Sequence, residues 1–273
     1  MNKQATKNNN AGQKAAQMQA YKQALKRSKP FAMPVTEKKI VASLGYSSAA
    51  IGRAHQNFMA TAWHELRIDP DENMQADITS QPYHLPMIAD ASLDGVFIGH
   101  TLHRYNFIDA EHVLKEAFRI LKDEGTLIAT VPDLQLASTY AANDELEAGV
   151  YQSPAGAITA IDMLFGFQRA IRTGDLARQH QSGYTMTSLG NLVRDIGFCN
   201  LKVQRQAHDL LVIGLKLPYN HPERVERIML QTDAAPRPNV PAITASPAQQ
   251  SAVRYADQLE GEPQRWKPLN LKG

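Results

Sequence analysis

The stretch Ser92–Asp133 constrains the fold most, because its residue pattern indicates a strand, a helix and a second strand in succession. Leu93–Gly99 is short and almost wholly apolar, which is typical of a strand buried on both faces of a parallel sheet. Thr126–Val131 is a second buried-strand run, and Pro132 closes it because proline cannot donate to a ladder. Between them, apolar residues recur along one stripe of an α-helix: Ala110, Val113, Leu114, Ala117, Phe118 and Leu121.

This unit predicts an α/β protein, since two parallel strands and a covering helix form a right-handed crossover. We expect Asp109 to cap the helix at its N-terminus and Gly125 to end it in a left-handed conformation. Ligands of such sheets bind at the carboxyl ends of the strands, which here lead into Gly99–Thr101 and into Pro132–Asp133. A small-molecule site is therefore expected beside these two segments.

The same stretch resembles the class I S-adenosylmethionine-dependent methyltransferases, in the broad type 11-like branch. There an Asp opens the fourth strand and a leucine-rich helix leads into a turn of pattern R-[VI]-L-K-P-G-G. This chain has Asp94, then Arg119–Lys122 followed by Asp123–Gly125, and Val131–Leu134 after the fifth strand. The resemblance spans 38–218. It implies a Rossmann-like, seven-stranded, mostly parallel sheet with a C-terminal antiparallel hairpin, helices on both faces and S-adenosyl-L-methionine as cofactor.

The net charge, the lack of long apolar runs and the cysteine count limit the classes of protein to which this chain can belong. The net charge is +2, and seven basic residues precede the first acid, Glu37, so the rest of the chain carries five net negative charges. Such a body is not typical of a nucleic-acid-binding core. No run approaches the ~18 apolar residues of a membrane span, and no secretory signal is recognised, so a cytoplasmic location is expected. The single Cys199 excludes a cysteine-built metal site, and no metal is expected.

Composition divides the chain into three parts. Residues 1–34 form a basic arm expected to be disordered, either a solvated tail or an anchor for a partner. Residues 38–218 form the methyltransferase-like domain, with 144–184 as an insertion over the pocket. Residues 219–273 are a proline-rich linker and tail, which is compatible with a random tail and equally with docking on its own or another subunit.

The first strand is expected at Lys38–Gly45, followed by a turn that reaches Gly52. In the family this turn is glycine-rich, because backbone amides there approach the methionine carboxylate and the ribose closely. This chain keeps only the two terminal glycines of the turn. The resemblance assigns cofactor contacts to Leu44, Gly45 and Tyr46.

The second strand is predicted at Trp63–Pro70 and ends at Asp69. Nucleotide-binding α/β folds place an acid there, because one carboxylate accepts hydrogen bonds from both ribose hydroxyls. Asp69 follows Gly45 by 24 residues, near the expected ~20. Ordinary turn chemistry in Asp69–Asp71 is the alternative.

A brief third strand is predicted at Met74–Ile78. The family pattern at this position resembles "aDi…lPf", whose acid lies near the adenine amino group. Asp77 and Ile78 are therefore candidate cofactor contacts, and a loop carboxylate in water is the alternative for Asp77.

The segment after the fourth strand, His100–Tyr105, resembles the family's "HvLEHl". His100 and Leu102 match, whereas His103 and Arg104 replace the Glu and the second His. His100 is a candidate both for the methionine end of the cofactor and for catalysis; a packed structural histidine is the alternative.

The insertion resembles a segment of the branch that covers the pocket, so it is expected to recognise a small-molecule or glycan-like acceptor. His180 and Tyr184 are the polar groups placed nearest that acceptor, as candidate catalytic residues. For His180 a loop or helix-end histidine is the alternative. Ile158–Arg172 is helical in period.

The C-terminal part is predicted to contain a helix that ends at Gly197, with Thr185 or Thr187 as its cap. Leu201–Val203 and Leu210–Leu217 are predicted as the antiparallel hairpin.

The sequence supports two candidate functions. The first is S-adenosylmethionine-dependent methyl transfer to an unidentified acceptor, by an enzyme. The alternative is a catalytically inactive methyltransferase-fold protein that serves as a binding or assembly subunit, motivated by the sparse glycines and the altered "HvLEHl" segment. A nicotinamide-dependent Rossmann enzyme would need G-x-G-x-x-G after the first strand, and the sequence lacks it.

Overall fold

The computed structural model describes residues 31–45, Phe58 and 62–226. The chain divides into two units, Met1–Arg224 and Val225–Gly273. The strands of the first unit are β1 Lys39–Leu44, β2 Trp63–Asp69, β3 Ile78–Thr79, β4 Leu93–Gly99, β5 Leu121–Pro132, β6 Gly149–Ser153, β7 Gly156–Thr159, β8 Cys199–Gln206 and β9 Asp209–Leu215. Its helices are α1 Phe107–Ile120, α2 Leu134–Ala142, α3 Ala160–Phe165, α4 Gln168–Arg172 and α5 Met186–Ile196, with 3-10 turns at Glu72–Met74, Leu102–Arg104 and Leu176–Arg178.

Seven strands form one sheet in the order β3-β2-β1-β4-β5-β9-β8. Strand β1 pairs in parallel with β2 and β4, and β4 with β5, whereas β9 runs antiparallel to β5 and β8. The predicted fold class, a mostly parallel Rossmann-like sheet with a C-terminal antiparallel hairpin, is confirmed. The strand order reverses between β1 and β4, and open α/β sheets bind ligands outside the carboxyl ends at such a point.

The sheet is buried on both faces. The strand β4 and the Leu127–Val131 part of β5 are mostly apolar runs, as expected when helices cover both sides. One large cluster joins β1, β4 and β5 to α1 and α5, and a smaller one on the other face contains Val41, Phe58, Phe97, Ile128 and Leu211. The predicted strand Leu93–Gly99 coincides with β4.

Both predicted ends of α1 are wrong. The N-cap is Asn106, whose side chain accepts from the amides of Ile108 and Asp109 at 3.0 Å each; Asp109 lies in the first turn and accepts from Asn106 Nδ2. Gly125 does not end the helix, because the chain leaves it at Leu121, which is fully buried and enters β5 directly. The left-handed residue is Glu124 (φ 64°).

The third strand also begins later than predicted. Residues 72–74 form a 3-10 turn capped by Asp71, and Gln75 then takes a left-handed conformation (φ 51°) that ends it. Strand β3 covers only Ile78 and Thr79, opposite Ile68 and Asp69 of β2. Asp77 therefore precedes the strand rather than lying near its end.

The insertion is not a single helix at 158–172. It contains the β6–β7 hairpin, which was not predicted, and two short helices separated by Gly166. The helix ends at Gly166 because its φ of 99° is not helical, and only glycine fits there because a Cβ would lie 2.0 Å from the carbonyl oxygen of Arg178. Thr159 and Asp162 cap α3 reciprocally.

The residues that carry the family resemblance hold the scaffold together. Arg119 donates to Glu116, to Asp90 and to the carbonyl oxygens of Leu85 and Ile88, all within 2.9 Å. A second ion pair, between Lys122 and Asp94, joins the starts of β4 and β5. Lys122 Nζ lies 2.8 Å from Asp94, whose other oxygen accepts from the amide of Ile40 at 2.9 Å.

The C-terminal predictions are confirmed. Thr185 caps α5 and Gly197 ends it with φ 122°, and β8 and β9 form the antiparallel hairpin with Ala207 (φ 54°) in its turn. Within 31–45 and 62–226, no helix is long and apolar enough to cross a membrane. Of the predicted N-terminal arm, Phe31 and Met33 are described and pack against the large core cluster.

Candidate functional site

Gly45 forms the turn at the carboxyl end of β1. It has φ 75°, and its amide donates to Ile68 O at 2.8 Å. A Cβ at this position would lie 2.3 Å from Thr101 Oγ1, and that hydroxyl lies within 3.1 Å of the carbonyl oxygens of Leu44 and Gly99. Only glycine fits there, because the side chain of Thr101 fills the space that a Cβ would need. The side chain of Leu44 is in the core, and Tyr46, with the rest of the turn to Gly52, lies outside the described residues.

Asp69 ends β2 and is fully buried. Its Oδ1 accepts from the amide of Asp71 at 2.9 Å, which is the turn interaction considered as the alternative. Its Oδ2 is also buried and has no hydrogen-bond partner among the described residues. Burial raises the pKa of this carboxyl above its ordinary value, although the Asp71 N–H opposes the shift. An orphaned carboxylate oxygen is costly to bury, and a ligand hydroxyl would satisfy it.

Asp77 lies beside the start of β3. Its two oxygens accept from the side chain of Arg67 at 3.0 and 3.1 Å, and one also accepts from the Arg67 amide at 2.8 Å. Partial burial would raise its pKa, but these contacts with Arg67 lower it below the ordinary value. Ile78 is buried opposite Ile68. Asp77 therefore forms an ion pair with Arg67. The residue that follows β3 at the carboxyl edge is Ser80, whose amide donates to Asp69 O at 3.1 Å.

A cavity of about 400 Å³ opens beside the carboxyl ends of β4 and β5. The β6–β7 hairpin, α3, the segment 178–180 and the β8–β9 turn form its other walls. Its apolar lining includes Tyr151, Ile158, Met163 and Phe167. Its titratable lining, apart from Tyr151, consists of His100, His103, Arg104, Asp162, Arg178, His180, His208 and Asp209.

His100 follows β4 in a left-handed conformation (φ 48°), and its amide donates to Thr130 O at 3.0 Å. This conformation turns the side chain toward the C-terminal hairpin, where its Nε2 lies 3.0 Å from Asp209 Oδ2. With the proton on Nε2, the imidazole donates to the carboxylate and keeps a lone pair on Nδ1. His100 and Asp209 therefore form a dyad in the cavity wall.

Two further histidines pack edge to face in the same wall. The rings of His103 and His180 are 4.2 Å apart. Burial lowers the pKa of His103 well below its ordinary value, and His103 Nδ1 has no partner among the described residues. Burial also lowers the pKa of His180 to about 4, although its Nδ1 donates to Met163 O at 2.9 Å. Both imidazoles are therefore neutral near pH 7.

Tyr184 is in the core. It is 2% exposed, its hydroxyl lies 3.2 Å from Ser182 Oγ, and its ring packs against Phe107. It does not line the cavity, so of the three candidate catalytic residues the structure brings only His100 and His180 together. Sequence reasoning missed Asp209 and Tyr151, because no spacing links them to His100.

Acidification is expected to destabilise the protein through His180. The pKa of this histidine falls from 6.5 to about 4 on folding. Since the unfolded chain then binds the proton more strongly, the free energy of unfolding should fall as the pH drops from 6.5, by about 2 kcal/mol at pH 5. Chemical denaturation at pH 7 and pH 5 measures this loss, which should be smaller by about the same amount in His180→Gln. An equal loss in both proteins would contradict the assignment.

Residues 41–129 match the family model of a methyltransferase domain, about one third of the chain. No curated protein matches the sequence. The resemblance to class I methyltransferases is confirmed over the matched residues, and the match supports methyl transfer in general, with S-adenosylmethionine as the implied donor.

Among solved structures, a SAM-dependent methyltransferase from Thermotoga maritima is similar, with 19% identity, 72% of this chain and 89% of that chain covered, and a TM-score of 0.43. A SAM-dependent methyltransferase from Archaeoglobus fulgidus has 13% identity, coverage of 66% and 87%, and a TM-score of 0.43. The 1,6-didemethyltoxoflavin-N1-methyltransferase of Burkholderia thailandensis, solved with S-adenosylhomocysteine, has 14% identity, coverage of 66% and 72%, and a TM-score of 0.42.

Proposed function

Starting from the methyltransferase domain at residues 41–129, we propose that this protein transfers a methyl group from S-adenosylmethionine to a small molecule bound in the cavity. The observation that carries the proposal is the buried, unpartnered Oδ2 of Asp69 at the carboxyl end of β2, which has no partner among the described residues. A ribose diol supplies the hydroxyl donor that this oxygen lacks. The expected cytoplasmic location belongs to the same proposal.

Two elements of this chain would hold the cofactor. Asp69 would accept from the ribose hydroxyls, and the turn at Gly45 follows the parallel neighbour β1 at the same carboxyl edge, where the resemblance assigns a cofactor contact. S-adenosylmethionine supplies an activated methyl group that already carries its leaving group. The protein's main task is then to align the acceptor with that methyl.

A general base is available where the acceptor must lose a proton. His100 Nδ1 keeps a lone pair in the proposed tautomer, while Asp209 accepts from Nε2 at 3.0 Å and stabilises the imidazolium that forms when the proton arrives.

The other cavity histidines are suited to positioning. His180, with a pKa of about 4, is too weak a base to hold a proton near pH 7. Its Nδ1 is engaged with Met163 O, so its Nε2 is left as a hydrogen-bond acceptor. We assign it to orienting a hydroxyl or amine of the acceptor.

Calorimetry on the full chain tests the function directly. We expect saturable binding of S-adenosylmethionine and S-adenosylhomocysteine with dissociation constants below about 1 mM, the usual upper range of substrate affinity. Failure of both ligands to bind at that concentration would reject the enzyme and favour the alternative, a methyltransferase-fold subunit without catalysis.

A further inference from the structure

Asp209, in the lining of the cavity that holds His100, has one carboxylate oxygen without a hydrogen-bond partner. Asp209 begins β9, and its Oδ2 lies 3.0 Å from His100 Nε2 and 3.5 Å from His208 Nε2. Its Oδ1 is buried and has no partner within the part of the chain that the structure describes. A buried carboxylate oxygen is costly when no donor satisfies it. A ligand that brings a hydroxyl or N–H group to this residue would therefore be stabilised.

The imidazoles of the lining add further hydrogen-bond acceptors. His100 keeps a lone pair on Nδ1 in the tautomer that donates to Asp209. His180 donates from Nδ1 to Met163 O at 2.9 Å, so its Nε2 is the acceptor of that ring. Burial lowers the pKa of His180 to about 4, so this nitrogen carries no proton near pH 7. Three acceptor atoms thus belong to the residues that line the cavity.

The arginines and aspartates of the lining balance in charge. There are two residues of each sign: Arg104, Arg178, Asp162 and Asp209. Neither arginine is free of partners, and Arg178 Nε donates to Asp175 at 3.0 Å. A bound anion would meet the carboxylate of Asp209, and a bound cation would meet the two guanidinium groups. The lining therefore favours neither sign of ligand charge.

The remainder of the lining suits an apolar molecule. Tyr151, Ile158, Met163 and Phe167 contribute rings and aliphatic side chains. Burial and the nearby charge of Asp209 raise the pKa of Tyr151 to about 12, so its hydroxyl is neutral as well. The cavity volume of about 400 Å³ is within the usual range for small-molecule pockets, which combine an apolar lining with a few polar groups.

We infer that the methyl acceptor is an uncharged molecule with an apolar body, which binds as a hydrogen-bond donor through a hydroxyl or N–H group that Asp209 Oδ1 accepts. This inference rests on the proposed methyl transfer for the identity of the ligand as the acceptor. Carboxylates, phosphates and ammonium compounds do not belong to this class of acceptor.

Probe binding to the full chain tests the inference. Phenol is the neutral donor, and anisole has the same ring without a donor. Benzoate and benzylamine are the anionic and cationic probes, and each compound is titrated by ligand-observed NMR at pH 7.5. We expect phenol to bind at least about tenfold more tightly than anisole, because anisole leaves the carboxylate oxygen unsatisfied. Phenol should also bind more tightly than either charged probe.

Variants of Asp209 test which residue accepts the hydrogen bond. Asp209→Ala should bind phenol and anisole with equal affinity. Asp209→Asn keeps one acceptor oxygen and should show an intermediate preference for phenol. Asp123→Ala removes an exposed carboxylate outside the cavity lining and is the matched control, with the full preference retained. Thermal unfolding establishes that each variant is folded, and the probe series on the wild-type chain decides the charge class even where a variant fails to fold.

Four results would overturn the inference. They are no phenol binding at about 10 mM, equal affinity of the wild-type protein for phenol and anisole, tighter binding of benzoate or benzylamine than of phenol, and an undiminished preference for phenol in Asp209→Ala. Phenol binding without S-adenosylhomocysteine binding would reject the proposed methyl transfer alone and leave the site for an uncharged donor standing.

Discussion

Asp69→Asn is expected to weaken the binding of S-adenosylmethionine and S-adenosylhomocysteine at least about a hundredfold, measured by calorimetry. An amide in place of the carboxylate can keep the bond from the Asp71 amide through its oxygen, but its NH₂ group cannot accept from a ribose hydroxyl. Hydrogen bonds to a charged partner are worth about 1.5–3 kcal/mol each, so the loss of both bonds from the ribose diol gives this factor.

The same substitution should leave the free energy of unfolding unchanged or raise it. In the unliganded protein Asp69 Oδ2 is buried without a partner among the described residues, so the carboxylate is a cost to stability there. Asp123→Asn removes an exposed carboxylate and serves as the control, with both affinity and stability unchanged. If Asp69→Asn were destabilised but still bound the cofactor normally, the role of Asp69 would be only to stabilise the turn with Asp71.

His100→Gln is expected to lower kcat about a hundredfold or more, with the affinity for S-adenosylmethionine unchanged. Positioned proton transfer contributes about 10²–10⁴ to a rate, and glutamine cannot take a proton. The measurement is S-adenosylhomocysteine release with an acceptor that the wild-type protein methylates.

Asp209→Asn should also lower kcat, because the amide no longer stabilises the imidazolium of His100. If the two residues act as a unit, the double variant will be little slower than His100→Gln alone. His112→Gln, on the outer side of α1 and away from the cavity lining, is the control and should retain full activity. A double variant with the product of the two single losses would mean that the residues act independently.

The positions of six strands of the main sheet, all except β3, could be predicted because those strands are long or strongly apolar. The motif residues Asp94, Arg119 and Lys122 were informative about the fold for a physical reason: each is engaged in contacts that fix a strand end or a loop to the scaffold. Their contacts are structural, so they predict the architecture and carry no information about the acceptor.

The positions of the candidate site residues could be predicted only for residues that lie at the end of a clearly predicted strand. Asp69 and His100 directly follow or end strands whose pattern is clear, and both lie where the sequence placed them. The two-residue β3 has no periodicity, so its position and that of Asp77 were misjudged.

The cavity itself needed the structure. Tyr151 stacks on His208 with ring centroids 3.4 Å apart, which joins the β6–β7 hairpin to the β8–β9 turn. These two residues are far apart in sequence, and the hairpin strands show no clean alternation of buried and exposed residues. Neither the periodicity of the strands nor the spacing of a motif predicts the contact between Tyr151 and His208.

The insertion returns to the sheet next to where it departs. It leaves after α2, and Tyr184 then pairs with Asp133 and accepts from the amide of Leu134 at 3.1 Å, at the start of the same helix. Its two ends are therefore separated by about the length of α2, roughly 13 Å. A segment closed in this way can be exchanged or lengthened by recombination without altering the register of β5 or the start of α5. Under the proposed function, the range of acceptors could then change with the insertion while Gly45 and Asp69, which lie on other elements, stay the same.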